Sequence, residues 1–149
     1  MFYKRRDYTT IVDGRNPIVA HEFLGANVEG KDVIIIDDMI SSGDSMIHTA
    51  KELKERKANR VFVCSTFGLF TNGLAKFDAA YENGWISKVI TTNLIYQPEE
   101  LLAKPYYETA DMAKYIALLI DALNHDGSIS EYLNPHNRIQ KLLEKYGKR

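Results

Sequence analysis

Val33-Ile34-Ile35-Ile36-Asp37-Asp38-Met39-Ile40-Ser41-Ser42-Gly43-Asp44-Ser45 passes from an apolar run, through two adjacent acids, to a small hydroxyl-rich turn. Four consecutive apolar β-branched residues describe a strand buried on both faces, as in a parallel sheet. Ser42-Gly43 followed by Met46, Ile47, Ala50 and Leu53 starts a helix with one apolar face. Asp37 and Asp38 are therefore expected at the C-terminal end of a strand, and Ser41 to Ser45 in the turn that leads to the helix.

That placement has chemical consequences. In open α/β sheets ligands lie in the crevice beyond the strands' C-terminal ends, and the first N–H groups of a helix have no intrahelical partner and suit an anion. Ser41, Ser42 and Ser45 add hydroxyl donors, and Gly43 lets the backbone approach closely or take a positive φ. Phosphate is expected in the turn, with Asp37 and Asp38 facing the ligand's hydroxyls or a Mg²⁺ bound to it. Asp44 cuts across this reading, since a carboxylate beside a phosphate cradle is unfavourable unless it points outward. An ordinary βα turn capped by Ser and Asp would share several of these residues.

Outward from the turn, strands alternate with helical segments. Pro17 to Phe23 alternates apolar and polar residues and reads as an edge or half-exposed strand, and the motif strand follows at about Asp32 to Asp37. A helix from Gly43 to about Lys57 leads to a strand from Arg60 to Ser65. Thr71-Asn72-Gly73 then starts a helix with Leu74, Phe77, Ala80 and Tyr81 on one face, ended by Asn83-Gly84. Lys88 to Thr92 is a further strand, left by the loop Asn93 to Tyr96. From Ala110 to Asn124 the apolar positions Met112, Ile116, Leu119, Ile120 and Leu123 recur at helical spacing, and a last helix is expected near Pro135 to Tyr146. The order βαβαβ predicts an α/β fold with a doubly wound, mostly parallel sheet flanked by helices.

Composition narrows the class. With 149 residues, 45% of them hydrophobic, and a net charge of −1, the chain suffices for one core and is too short for two ordinary domains. The near-neutral balance argues against a nucleic-acid surface, and the lack of an 18-residue apolar run or a secretory h-region predicts a cytoplasmic protein without a membrane segment. Cys64, within Val61-Phe62-Val63-Cys64, is expected to be a buried strand residue rather than a nucleophile. His21, His48, His125 and His136 lack metal-ligand spacing, and His48 is expected at the surface. Tyr106-Tyr107 and Tyr115 read as packing or subunit interface.

The stretch from Val33 to Ser45 resembles the phosphoribosyl diphosphate motif of type I phosphoribosyltransferases and ribose-phosphate pyrophosphokinases: four apolar residues, two acids, two mostly apolar residues and a Ser/Thr/Gly loop. Asp44 departs from it, for family members mostly carry a small residue there. Lys4-Arg5-Arg6 and Val28-Glu29-Gly30-Lys31-Asp32 resemble two further segments of the pyrophosphokinases. Taken alone, three basic residues more often form a solvated end. The resemblance implies that Lys4-Arg5-Arg6 ends a strand and begins a flexible catalytic loop, with Lys4 and Arg6 stabilising charge on a transferring diphosphate.

The resemblance further implies a partial C-terminal phosphoribosyltransferase-like domain spanning residues 1–149, without the N-terminal ATP-binding domain. The implied reaction moves diphosphate from ATP to the C1 hydroxyl of ribose 5-phosphate with Mg²⁺. Asp37 and Asp38 would hold the ribose hydroxyls or their Mg²⁺, and Ser41, Ser42, Gly43, Asp44 and Ser45 the 5-phosphate. A homo-oligomer is expected, with no turnover from the partial domain alone and an unpaired strand edge left on its sheet. Alternatives are a phosphoribosyltransferase acting on a base and a non-catalytic subunit that binds sugar phosphate. Thr66 to Gly73 matches a segment near a nucleotide surface but lacks that segment's His, so a loop with core aromatics is the competing reading. Thr91-Thr92-Asn93 resembles a family strand end and is read as structural.

Overall fold

In the computed structural model, the structure describes the backbone of residues 2–6 and 18–23 and, continuously, residues 27–147. Two strands, β1 (Phe2–Arg6) and β2 (Ile18–Phe23), pair antiparallel, with Lys4 opposite His21 and Arg6 opposite Ile18. Lys4 and Arg6 thus lie at the end of a strand, as the resemblance implies, while their side chains and Pro17 fall outside the described residues. The remaining strands, β3 (Val33–Ile40), β4 (Val61–Gly68), β5 (Lys88–Thr92) and β6 (Tyr107–Ala110), form one sheet in that order. Every pairing in it is parallel. Parallel neighbours need crossovers, supplied here by α1 (Asp44–Glu55), α2 (Ala75–Glu82) and the short α3 (Glu99–Leu102). After β6 the chain continues through α4 (Ala113–Asn124), α5 (Ser130–Leu133) and α6 (His136–Tyr146). The expected α/β architecture is therefore present, with helices flanking a parallel sheet.

One core lies on one face of that sheet. Val61 and Val63 of β4 and Val89 of β5 meet Met46, Ala50 and Leu53 of α1, Phe77 and Ala80 of α2, and Leu101 of α3. Tyr106 and Tyr107 are buried in it, which bears out their reading as packing residues. Phe70 and Phe77 meet edge-on, with ring centroids 5.1 Å apart.

Several sequence expectations are corrected. The motif strand is not buried on both faces: Ile34 is 61% and Ile36 80% exposed. Among the described residues β3 has one strand neighbour and is an edge of its sheet, so alternate side chains point away from the α1 and α2 side. β3 also runs on to Ile40, which places Asp37 and Asp38 inside the strand rather than at its C-terminal end. β6 and α3 were not foreseen, and Ala110, expected to start a helix, ends β6. On α4, Ile116 and Leu119 are half-buried but Ile120 and Leu123 are exposed, because the helix packs mainly against α5, where the Tyr115 hydroxyl donates to the Tyr132 carbonyl at 3.0 Å.

Candidate functional site

The turn between β3 and α1 is fixed from below by the core. Gly43 caps α1 with φ +78°, and the first helical bond runs from the Ile47 N–H to its carbonyl at 2.9 Å. A Cβ at this position would lie 2.2 Å from the Phe77 ring. Glycine is therefore required twice over, once for the left-handed backbone and once for the aromatic packed beneath it. From the side, the segment after β4 is strapped to the turn: Leu69 N–H donates to the Ile40 carbonyl at 2.9 Å and Thr71 N–H to the Ser41 carbonyl at 3.1 Å. The Ser41 and Thr71 hydroxyls stand 3.4 Å apart.

Above the turn is a hollow of about 130 Å³ lined by Asp37, Ser41, Ser42, Gly43, Asp44 and Ser45. Ligand pockets ordinarily measure about 300–1,000 Å³, so this one suits the anionic end of a ligand whose remainder lies elsewhere. A second hollow, about 240 Å³, opens beside it along the uncovered face of the sheet, lined by Ile36, Asp37, Cys64, Ser65, Thr66 and Thr92 among others. Asp37 belongs to both. Asp38 lines neither, and its own N–H donates to Asp37 Oδ1 at 3.0 Å. The two carboxylates thus do not line one hollow together.

Asp44 does not point away from the loop, as a simple phosphate cradle would ask. It lines the small hollow, accepts from Ser42 Oγ at 3.0 Å through Oδ2, and forms an ion pair with Lys76 of α2 through Oδ1. Lys76 escaped the sequence reading, because only the packing of α2 beside α1 brings it to a turn 32 positions earlier in the chain. Thr71 and Phe77 were read as helix-start and core residues, and their sequence carried no sign of contact with the turn.

Neighbouring groups are structural. At the C-terminal end of β5, Gln97 Nε2 donates to the hydroxyl of Tyr107, the first residue of β6, at 2.7 Å and to the Thr92 carbonyl at 2.9 Å, and the Tyr107 hydroxyl also bonds Thr91. Asn93 bridges to Asp111 and to the Met112 N–H, so Thr91-Thr92-Asn93 acts as a structural strand end. Cys64 is half-buried rather than buried, lines the larger hollow, and has its thiol pushed up by burial, which keeps it protonated. Phe70 is buried against Phe77 and Tyr107, in favour of the core reading of its loop. His48 is exposed, as expected. Among the described residues no three His, Cys, Asp or Glu side chains stand together as a metal site, and no helix is long and apolar enough to cross a membrane.

A parallel sheet with flanking helices, whose first βα turn carries hydroxyls and a left-handed glycine, defines an α/β protein. A family model described as the phosphoribosyl synthetase-associated domain matches residues 11–134, and the chain belongs to that family. Among its relatives, the ribose-phosphate pyrophosphokinase of Vibrio parahaemolyticus is 33% identical over 127 residues, 83% of this chain and 40% of that protein. The protein of the same description from Haemophilus influenzae is 31% identical over 127 residues, 83% of this chain and 39% of that one. The crystal structure of phosphoribosylpyrophosphate synthetase from Mycobacterium smegmatis superposes with a TM-score of 0.59 at 26% identity, covering 76% of this chain and 35% of that one. The chain spans about 40% of the length of the curated relatives it matches.

Proposed function

We propose that this chain is the sugar-phosphate-binding part of a ribose-phosphate pyrophosphokinase, the whole protein moving diphosphate from ATP to the C1 hydroxyl of ribose 5-phosphate. The observation that carries this reading is the pair of adjoining hollows that share Asp37. The smaller has the hydroxyls and helix N-terminus that favour a phosphate. The larger would take the sugar ring, and the Asp37 carboxylate would accept from its hydroxyls. Ser42 and Ser45 hydroxyls would orient the phosphate, and the strap from Leu69 to Thr71 holds the turn so that little ordering is needed on binding.

Mg²⁺ keeps most of its waters and needs one or two protein carboxylates beside ligand oxygens, a demand that Asp37 fits, with Asp38 next to it in the chain. When bound it would neutralise charge on the ligand's oxygens. Lys4 and Arg6, at the end of β1, are proposed to meet the transferred diphosphate.

The test is calorimetric titration of ribose 5-phosphate, with and without Mg²⁺, into the wild-type chain and into Ser42→Ala and Asp37→Asn. Saturable binding weakened about tenfold or more by each substitution is expected, the usual worth of a hydrogen bond to a charged group. Absence of binding in a folded sample, or binding indifferent to both changes, would overturn the reading. The chain alone is expected to release no AMP from ATP and ribose 5-phosphate.

A further inference from the structure

We infer that Lys76 is a phosphate-positioning residue of the β3–α1 turn and that Asp44 is an internal competitor which occupies it until the ligand's phosphate arrives. The inference rests on the reading of that turn as a phosphate site.

Both carboxylate oxygens of Asp44 are engaged by groups a phosphate would want. Oδ2 takes the Ser42 hydroxyl, one of the turn's own donors, and Oδ1 takes the Lys76 ammonium. The side chain lies against the same small hollow as Ser41, Ser42 and Ser45. A carboxylate is a planar acceptor of one negative charge. A phosphate monoester near neutral pH carries nearly two, with three strong acceptor oxygens. Placed in the hollow, the phosphate would outbid Asp44 for both partners, since charge-assisted bonds strengthen with the acceptor's charge.

The pair is also easily parted. Lys76 and Asp44 side chains are 52% and 45% exposed, and ion pairs so open to water contribute little to folding. Asp44 gains some stability from its place in the first turn of α1, where the helix favours negative charge, yet the same field favours the phosphate more. The device makes the turn selective: a singly charged or weakly accepting ligand end leaves Asp44 in possession of Ser42 and Lys76, and a phosphate monoester displaces it.

A mere screening role for Lys76 gives a different pattern from a positioning role, and a double-mutant cycle separates them. Ribose 5-phosphate is titrated by calorimetry into the wild-type chain, Asp44→Asn, Lys76→Met, Lys76→Arg and the Asp44→Asn/Lys76→Met double variant, with Ser42→Ala as reference and thermal melts to establish folding. Asp44→Asn is expected to tighten binding several-fold and Lys76→Met to weaken it. In the Asp44→Asn background Lys76→Met should still weaken binding by about tenfold or more, and Lys76→Arg should largely preserve it. If Lys76→Met is silent once Asp44 is neutral, Lys76 only screens Asp44; with Ser42→Ala still weakening binding, the inference falls and the phosphate site stands. If the folded wild-type chain and every variant fail to bind, both fall together.

Discussion

Two clusters of polar side chains sit at the same end of one parallel sheet, at β3 and at β5–β6, and they are built on opposite terms. Around Thr91, Gln97 and Tyr107 the polar groups are buried or half-buried and answer one another: the Gln97 amide donates to Tyr107, and the Thr109 hydroxyl donates to Gln97 Oε1 at 3.0 Å. Around Ser41 to Ser45 the hydroxyls and carboxylates ring an open hollow, while the rigid part of the turn is apolar, Gly43 seated on Phe77. The first cluster spends its hydrogen bonds on holding β6 to β5. The second sets Ser42, Asp44 and Lys76 bonding one another at the rim of a hollow a ligand can reach, on a base held by the core and by the strap from Leu69 and Thr71. A closed network is thus a mark of scaffold, and an open one set on a packed base is a mark of a site.

The comparison breaks most visibly at Gly43. Gly43→Ala would drive a Cβ into the Phe77 ring and hold a non-glycine residue in the left-handed region. Overpacking of this kind costs about 1–3 kcal/mol, and the left-handed backbone about 1–2 kcal/mol more. Urea denaturation should show that loss, and ribose 5-phosphate binding should vanish with it. Gly73→Ala, whose positive φ has open space around its Cβ position, should cost only the backbone part.

A smaller effect is expected at the closed network. Tyr107→Phe removes the hydroxyl shared by Thr91 and Gln97 and leaves their polar atoms short of a partner, worth about 1–3 kcal/mol in the same denaturation experiment. Sugar-phosphate affinity should not change, since Thr91, Gln97 and Tyr107 line neither hollow. A matching fall in affinity would mean that the two clusters are coupled and the contrast between them is wrong.

The smallest effect is one of pH, at a third polar group that belongs to the scaffold. Asp78 accepts from Lys104 Nζ at 2.9 Å and from the Tyr106 hydroxyl at 2.8 Å. The Lys104 ammonium, then the Tyr106 hydroxyl, hold its carboxyl below the ordinary carboxylate range. A carboxyl lowered in the folded state adds stability that is full above its unfolded value, about 3.9, and is lost as the pH falls through its folded value. Tyr106 runs the other way: burial, then Asp78, pushes its phenol up. Its contribution is full below the unfolded tyrosine value of about 10 and fades as alkali ionises the unfolded chain first. Stability measured from pH 2 to 11 should decline at both ends, and Asp78→Asn should flatten the acid limb. An acid limb unchanged by that substitution would remove Asp78 from the scaffold account.

The β3–α1 turn was legible because its signals are local. A β-branched run, two acids, serines and a glycine each act within a few positions, and the parallel sheet follows from their alternation with helical segments. What escaped depends on neighbours. Tyr107-Glu108-Thr109-Ala110 has no apolar alternation of its own and is a strand because β5 pairs with it. Ile34 and Ile36 carry the composition of a doubly buried strand, yet their exposure is decided by what stands beside β3. Asp37 and Asp38 look like a pair in sequence, while of the two Asp37 alone lines the hollows beside the turn. Lys76 reaches Asp44 through the docking of one helix beside another, a relation that no spacing along the chain encodes.

The adjacency of Lys76 and Phe77 on α2 has a consequence for how such a turn can change in descent. Phe77 answers to Gly43 and Lys76 to Asp44, so two neighbouring positions of one helix are tied to two neighbouring positions of another segment by unrelated forces, one steric and one ionic. A lineage that exchanges Asp44 for a small residue loosens the demand for a cation at 76 without touching the demand for an aromatic at 77. Across homologous sequences, position 76 should therefore drift in step with 44, while 43 and 77 hold fixed together.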